Sequence, residues 1–122
     1  EFQLDLISGF SDQIQIKFLK NTIDEAESFD EKYSDMVQAW KDDDVVKMTK
    51  IINKEIESDP DLEILYTKLI SDRNRDMTKK IEKWIREYEG EIFFVVVGAG
   101  HLTGDDGIVN LLRKKGYDVQ KL

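Results

Sequence analysis

Residues 92–108 read IFFVVVGAGHLTGDDGI, an uninterrupted apolar run ending in a glycine turn that carries the only histidine of the chain. Ile92 to Val97 are too few for a helix that stands alone, and all are β-branched or aromatic, so they read as a strand. The run shows no polar alternation. A strand apolar on both sides belongs inside a parallel sheet with helices over both faces. Past the turn, DDGIVNLLRKKG has the spacing of a short amphipathic helix closed by Gly116, and YDVQKL reads as a second strand. The three pieces form a βαβ unit, which a right-handed crossover places in one sheet.

Two strands cannot enclose a segment this apolar. The expectation is therefore an α/β fold: a helical segment, residues 1–89, followed by a C-terminal strand-helix-strand unit, residues 90–122, which is part of a larger parallel-containing sheet. The chain would be an incomplete domain, with the missing strands supplied by an N-terminal half of the same protein or by another chain.

Composition agrees with a single unit. The chain has 122 residues, 40% of them apolar and 36% charged, enough for one modest core. Its net charge of −8 argues against a nucleic-acid groove, which needs a dense basic surface. It contains no cysteine, which excludes a disulfide scaffold and thiolate zinc sites. No stretch approaches the ~18 apolar residues of a membrane span, and no signal peptide opens the chain. It begins EFQLDLISGF without an initiator methionine, so its amino terminus is read as trimmed.

Six of the seven glycines fall between Gly90 and Gly116, and the glycine-free middle reads as helix. One or two helices are expected from Ser11, as N-cap, to about Lys41, with Ile14, Phe18, Phe29, Tyr33, Met36, Val37 and Trp40 facing a core. Asp42-Asp43-Asp44 breaks and recaps the chain. A second helix carries Val45, Met48, Ile51, Ile52 and Ile56. A third starts with Asp59 as N-cap and Pro60 at its first position, runs to Tyr88, and stops at Gly90. Its apolar line is Leu62, Leu65, Leu69, Met77, Ile81, Trp84 and Tyr88. Phe18, Phe29, Trp40, Met48 and Trp84 are read as core.

His101 stands three residues past Gly98, beyond the carboxyl end of the expected strand, where open α/β sheets gather ligands. Gly98, Gly100 and Gly104 let the backbone turn and approach a ligand closely. A neutral imidazole there suits a metal or a general base; the alternative is a histidine that only bonds the turn. Asp105 and Asp106 open the short helix, as caps or as ligands. Arg73 lies four residues from both Leu69 and Met77 and so points inward with the core line, where a guanidinium needs a carboxylate or phosphate partner. The alternative is an arginine that snorkels out. Asn74 flanks the same stripe, and Arg75 falls on the solvated side. The run VGAGHLTG also approaches the dinucleotide fingerprint, with Asp118 as its distant acid. Its spacing is one residue too long, and Asp118 sits at the wrong end of the second strand.

The stretch FFVVVGAGHLTGDDGIVNLLRKKGYDV closely resembles the closing motif of the TraB/GumN family, which includes bacterial pheromone-shutdown proteins and the animal TIKI proteases. DRNRDM resembles the R-N helix of that family, and EFQLDLISGFSDQ the segment after its central glutamate motif. The similarity covers essentially the whole chain, as the C-terminal portion of one such domain. It implies a metal-dependent peptidase or hydrolase in which metal-activated water attacks a peptide-like substrate. The divalent ion would be bound by two G-x-x-H motifs and a glutamate. Only Gly98 to His101 is found here, so His101 is the expected ligand or base, Arg73 and Asn74 the expected support, and the other ligands would come from the N-terminal half. The resemblance also favours a cell-envelope or extracytoplasmic location. Two rival readings stand beside it: a non-enzymatic module that binds a peptide such as a pheromone, and a nucleotide-binding half-domain.

Overall fold

In a computed structural model, residues 2–26, 28–53 and 60–120 can be described. Asp59 and Ile56, expected as a cap and a core residue, lie outside them. The described residues are predominantly helical, in the order α1 (Phe2–Ser8), α2 (Asp12–Ala26), α3 (Phe29–Lys41), α4 (Val45–Asn53), α5 (Pro60–Tyr66), a π-turn (Thr67–Ser71), α6 (Asp72–Glu87), a 3-10 turn (Ala99–His101) and α7 (Ile108–Lys114).

Local chemistry explains the breaks. The Ser11 hydroxyl accepts from the Ile14 N–H at 3.5 Å, at the start of α2. Between α3 and α4, Asp43 takes a left-handed φ of 57°. Asp44 then caps α4 by accepting the Lys47 N–H at 2.8 Å, as an aspartate at the N-cap does. Gly90 and Gly116, at φ 86° and 89°, follow the ends of α6 and α7.

The expected α/β architecture is not found. No strand forms among the described residues, so neither strand of the expected βαβ unit is present, although its helix is found as α7. Residues 91–98 are irregular, with exposure alternating from Ile92 at 96% to Phe93 at 43% and Phe94 at 94%. That period of two suits an extended course, but a strand also needs a ladder partner, and none lies alongside. Phe93 instead stacks on Trp84, ring centroids 5.8 Å apart, and meets Tyr88 edge-on at 5.9 Å. Residues 117–120 form no strand either, and the Arg113 guanidinium takes the Val119 carbonyl at 2.9 Å. α7 starts three residues later than expected, at Ile108, which frees Asp105 and Asp106 from its first turn.

Among the described residues the buried apolar side chains are few: Ala39 on α3, Met48 on α4, Leu65 on α5 and Ile108 on α7. Phe29, Tyr33 and Trp40 are exposed rather than buried, Trp40 at 71%. The buried face of the third helix also departs from expectation. Beyond Leu65 its innermost residues are Ser71, Asn74, Thr78 and Glu82, a polar seam, while Trp84 and Tyr88 are open to solvent. Glu82 is satisfied by Lys115 at 2.7 Å and Arg86 at 3.5 Å, so this buried carboxylate joins α6 to the end of α7 without the penalty of an unpaired charge.

Candidate functional site

The polar seam of α6 leads directly to the histidine. Asn74 is completely buried, and its Oδ1 lies 2.7 Å from Nδ1 of His101. Its Nδ2 donates to the backbone carbonyl of Asp106 at 2.9 Å. A carbonyl oxygen can only accept, so the amide NH2 must face Asp106 and Oδ1 must face the ring. The proton between Asn74 and His101 therefore belongs to the imidazole. His101 carries its hydrogen on Nδ1, and Nε2 keeps a bare lone pair. Nε2 is the atom that could ligate a metal or accept a proton.

The electrostatics agree. Burial lowers the pKa of His101 below its ordinary 6.5, and the positive charge of Arg73 lowers it further. The ring is neutral near pH 7 and available as a base or ligand. Arg73 is half-buried, as its position on α6 implied, and its Nη1 reaches the Leu69 carbonyl at a marginal 3.5 Å. No carboxylate pairs with it among the described residues. Arg75 is exposed and pairs with Asp72 at 2.9 Å. Asp72, half-buried, is also bonded by Lys68, which holds its carboxyl below the usual range.

Two hydroxyls hold the other side of the loop. Ser71 Oγ donates to one carboxylate oxygen of Asp106, and Tyr66 donates to the other at 3.3 Å. Burial and the adjacent carboxylate push the Tyr66 phenol up to about 12, so it stays protonated as a donor. Three successive carbonyls of this loop are each taken by a side chain: Gly104 by Asn110, Asp105 by Lys114 and Asp106 by Asn74. Among the described residues, no buried side-chain polar atom lacks a partner.

The glycines divide. Gly104 has φ 81°, a region that glycine favours. At Gly98 a methyl group would meet only His101 Cδ2 at 3.9 Å, and at Gly100 only Ile52 Cδ1 at 3.6 Å. The tightest position is Gly107, where a Cβ would fall 2.4 Å from the Thr103 carbonyl oxygen. Asp118 bonds Gln120 and is exposed. The dinucleotide pattern needs a strand leading into its glycine turn, and none does.

Arg73, Asn74 and His101 thus gather at one place, together with the loop from Gly104 to Gly107. Tyr66 and Ser71 are additions that the sequence reading missed, and Asp106, expected as a cap or a ligand, is instead held by both of them. One signal was available for part of it: Ser71, Asn74, Thr78 and Glu82 recur at helical spacing, a polar stripe on a helix whose exposed positions are already charged. The TraB/PrgY/gumN family model matches residues 1–121.

The chain belongs to the TraB/PrgY/gumN family.

Among curated relatives, it is 37% identical over 60 residues to "Metalloprotease TIKI homolog" of Amphimedon queenslandica, covering 49% of this chain and 12% of that protein. It is 34% identical over 56 residues to "Metalloprotease TIKI1" of Homo sapiens, covering 46% and 11%. For "Metalloprotease TIKI1" of Danio rerio the figures are 35% over 52 residues, covering 43% and 10%. The matched region spans only about a tenth of these relatives. No solved structure matches the chain significantly.

The names of these relatives imply a metal. A protein metal site takes three or more side chains, and among the described residues no group of three His, Cys, Asp or Glu side chains could hold one. The described residues alone do not make such a site. It offers one imidazole with its lone pair unused. No helix among the described residues is long and apolar enough to cross a membrane.

Proposed function

We propose that this chain is the C-terminal part of a metal-dependent peptidase of the TraB type, and that Nε2 of His101 is its contribution to the reacting centre. The bare Nε2, fixed by the Asn74 amide beside an arginine with no acid partner among the described residues, carries this reading. Support at family level comes from the TraB/PrgY/gumN match and from relatives named metalloproteases. His101 binds the divalent ion or takes a proton at Nε2, and the further ligands come from elsewhere in the longer protein. Arg73, whose guanidinium makes only a marginal contact with the Leu69 carbonyl, holds the carboxylate or polarised carbonyl of a peptide-like substrate. The exposed apolar residues Ile92, Phe94 and Val96 pack against the rest of that protein.

The test is peptide cleavage by the full-length protein, with and without a chelator and with His101→Ala. Cleavage should require the metal and fall by at least about a hundredfold in the variant, the scale on which a positioned acid–base group acts. Unchanged turnover in His101→Ala refutes the assignment. Peptide binding without cleavage, insensitive to chelation and to the variant, would make the chain a binding module instead.

A further inference from the structure

The carboxylate of Asp106 has no part in the chemistry proposed for His101, and it does not serve α7, which begins at Ile108. It is nevertheless gripped through both oxygens by hydroxyls five residues apart on one helical run, Tyr66 and Ser71. On a regular α-helix, residues five apart are turned from each other by roughly 140° and cannot both reach one carboxylate. The π-turn removes that obstacle. The Asp72 N–H reaches back to the Thr67 carbonyl, five residues earlier, which widens the helix by one residue at this point. The wider turn brings positions 66 and 71 to one side, facing Asp106.

We propose that Asp106, clamped by Tyr66 and Ser71 across the π-turn, is a positioning residue that sets the tautomer of His101. Its side chain is the anchored end, and its backbone carbonyl is the working end. That carbonyl takes the NH2 of Asn74 and thereby leaves Oδ1 for Nδ1 of the ring. If the carbonyl withdraws, the Asn74 amide can rotate and present its NH2 to the ring. An NH2 cannot accept, so the imidazole hydrogen would then move to Nε2 and cover the reactive lone pair. The unusual helix geometry, two buried or half-buried hydroxyls and the acid thus act on one atom, Nε2, through two intermediaries. Such outer groups fix ring orientation and tautomer in histidine sites generally.

The proposal rests on the reading of His101 as the reacting imidazole, and the experiment separates the two. His101 is the only histidine in the chain, so the imidazole ¹⁵N resonances of the 122-residue protein at neutral pH report its tautomer without ambiguity. Ser71→Ala, Tyr66→Phe, the double variant and Asp106→Ala are compared with the parent, each first shown to be folded by its amide spectrum. Ser71→Ala and Tyr66→Phe each remove a single hydroxyl and keep the backbone, so they serve if the double variant or Asp106→Ala does not fold.

The parent is expected to carry its hydrogen on Nδ1. In the folded variants the ratio of Nδ1–H to Nε2–H should fall by about fivefold or more, the scale set by one net hydrogen bond. An Nδ1–H parent with unchanged ratios in the folded single variants overturns the positioning role and leaves the reading of His101 intact. A parent with its hydrogen on Nε2 overturns both. A role confined to stability would lower the melting temperature without moving the ratio, and that result also refutes the proposal.

Discussion

Replacing Asn74 with alanine puts the site's geometry to a quantitative test. The side chain is wholly buried and makes two hydrogen bonds, to the ring of His101 at 2.7 Å and to the Asp106 carbonyl at 2.9 Å. Its truncation removes both, each with a net value of about 1 kcal/mol, and leaves two partners short of a bond at a further ~1–3 kcal/mol where water cannot enter. A loss of about 2–5 kcal/mol follows, a large share of the ~5–15 kcal/mol that holds a domain folded. With a urea dependence of about 1–2 kcal/mol per molar, the midpoint should fall by about 2 M. Thr78 is no confounder, because its hydroxyl bonds the backbone carbonyl of Asn74, which alanine retains. Asn74→Asp is the control of equal size. It still offers an oxygen to Nδ1, but its second oxygen meets the Asp106 carbonyl and its charge is buried, so it should be destabilised at least as much as alanine. Urea unfolding followed by tryptophan fluorescence and circular dichroism measures all three. A midpoint for Asn74→Ala within about 0.3 M of the parent would refute the hydrogen-bonded account of this residue.

Two further outcomes follow from the same geometry. Arg73→Gln removes the charge that helps to depress His101, so the imidazole pKa should rise in an NMR titration yet stay below its ordinary 6.5, because burial, the larger cause, remains. The sign for stability is fixed. A histidine with a depressed folded pKa contributes stability present above its unfolded value and lost as pH falls through the folded one, so the acid-side loss should be smaller in Arg73→Gln. Gly107→Ala and Gly98→Ala should behave oppositely. At Gly107 the new methyl would press on backbone oxygens at 2.4 and 2.7 Å, which have no flexible end to yield, for a cost of about 3 kcal/mol or more by thermal unfolding. Gly98, at φ −62° with its nearest neighbour 3.9 Å away, should change stability by no more than about 0.5 kcal/mol.

What could be read from the residues depended on how local the cause was. The turn at Asp42–Asp44 and the stop at Gly90 depend on a few neighbouring residues, and both are found. The expected strand at Ile92–Val97 needed a partner in space, which sequence cannot supply, and the described residues contain none. Its apolar character is real, but it is expressed as rings packed on Trp84 and Tyr88 rather than as a ladder. The third helix failed in a different way. The apolar line put Arg73 on its inward side, and the residue is half-buried there, yet the π-turn displaces the register after Tyr66, so the innermost positions beyond it are polar. No spacing rule anticipates a widened turn, and with it the meeting of Tyr66, Ser71 and Asp106 was hidden. The family resemblance gave Asn74 only as support for the site; its hydrogen bond to His101, 27 residues away, is beyond the reach of periodicity.

The claim on which the rest depends is that Nε2 of His101 is a bare, neutral nitrogen. One ¹⁵N spectrum of the ring in the unsubstituted chain near pH 7 reads it directly. The account expects a hydrogen-bearing Nδ1 and an unprotonated Nε2. A hydrogen on Nε2, or an imidazolium with both nitrogens protonated, would contradict it.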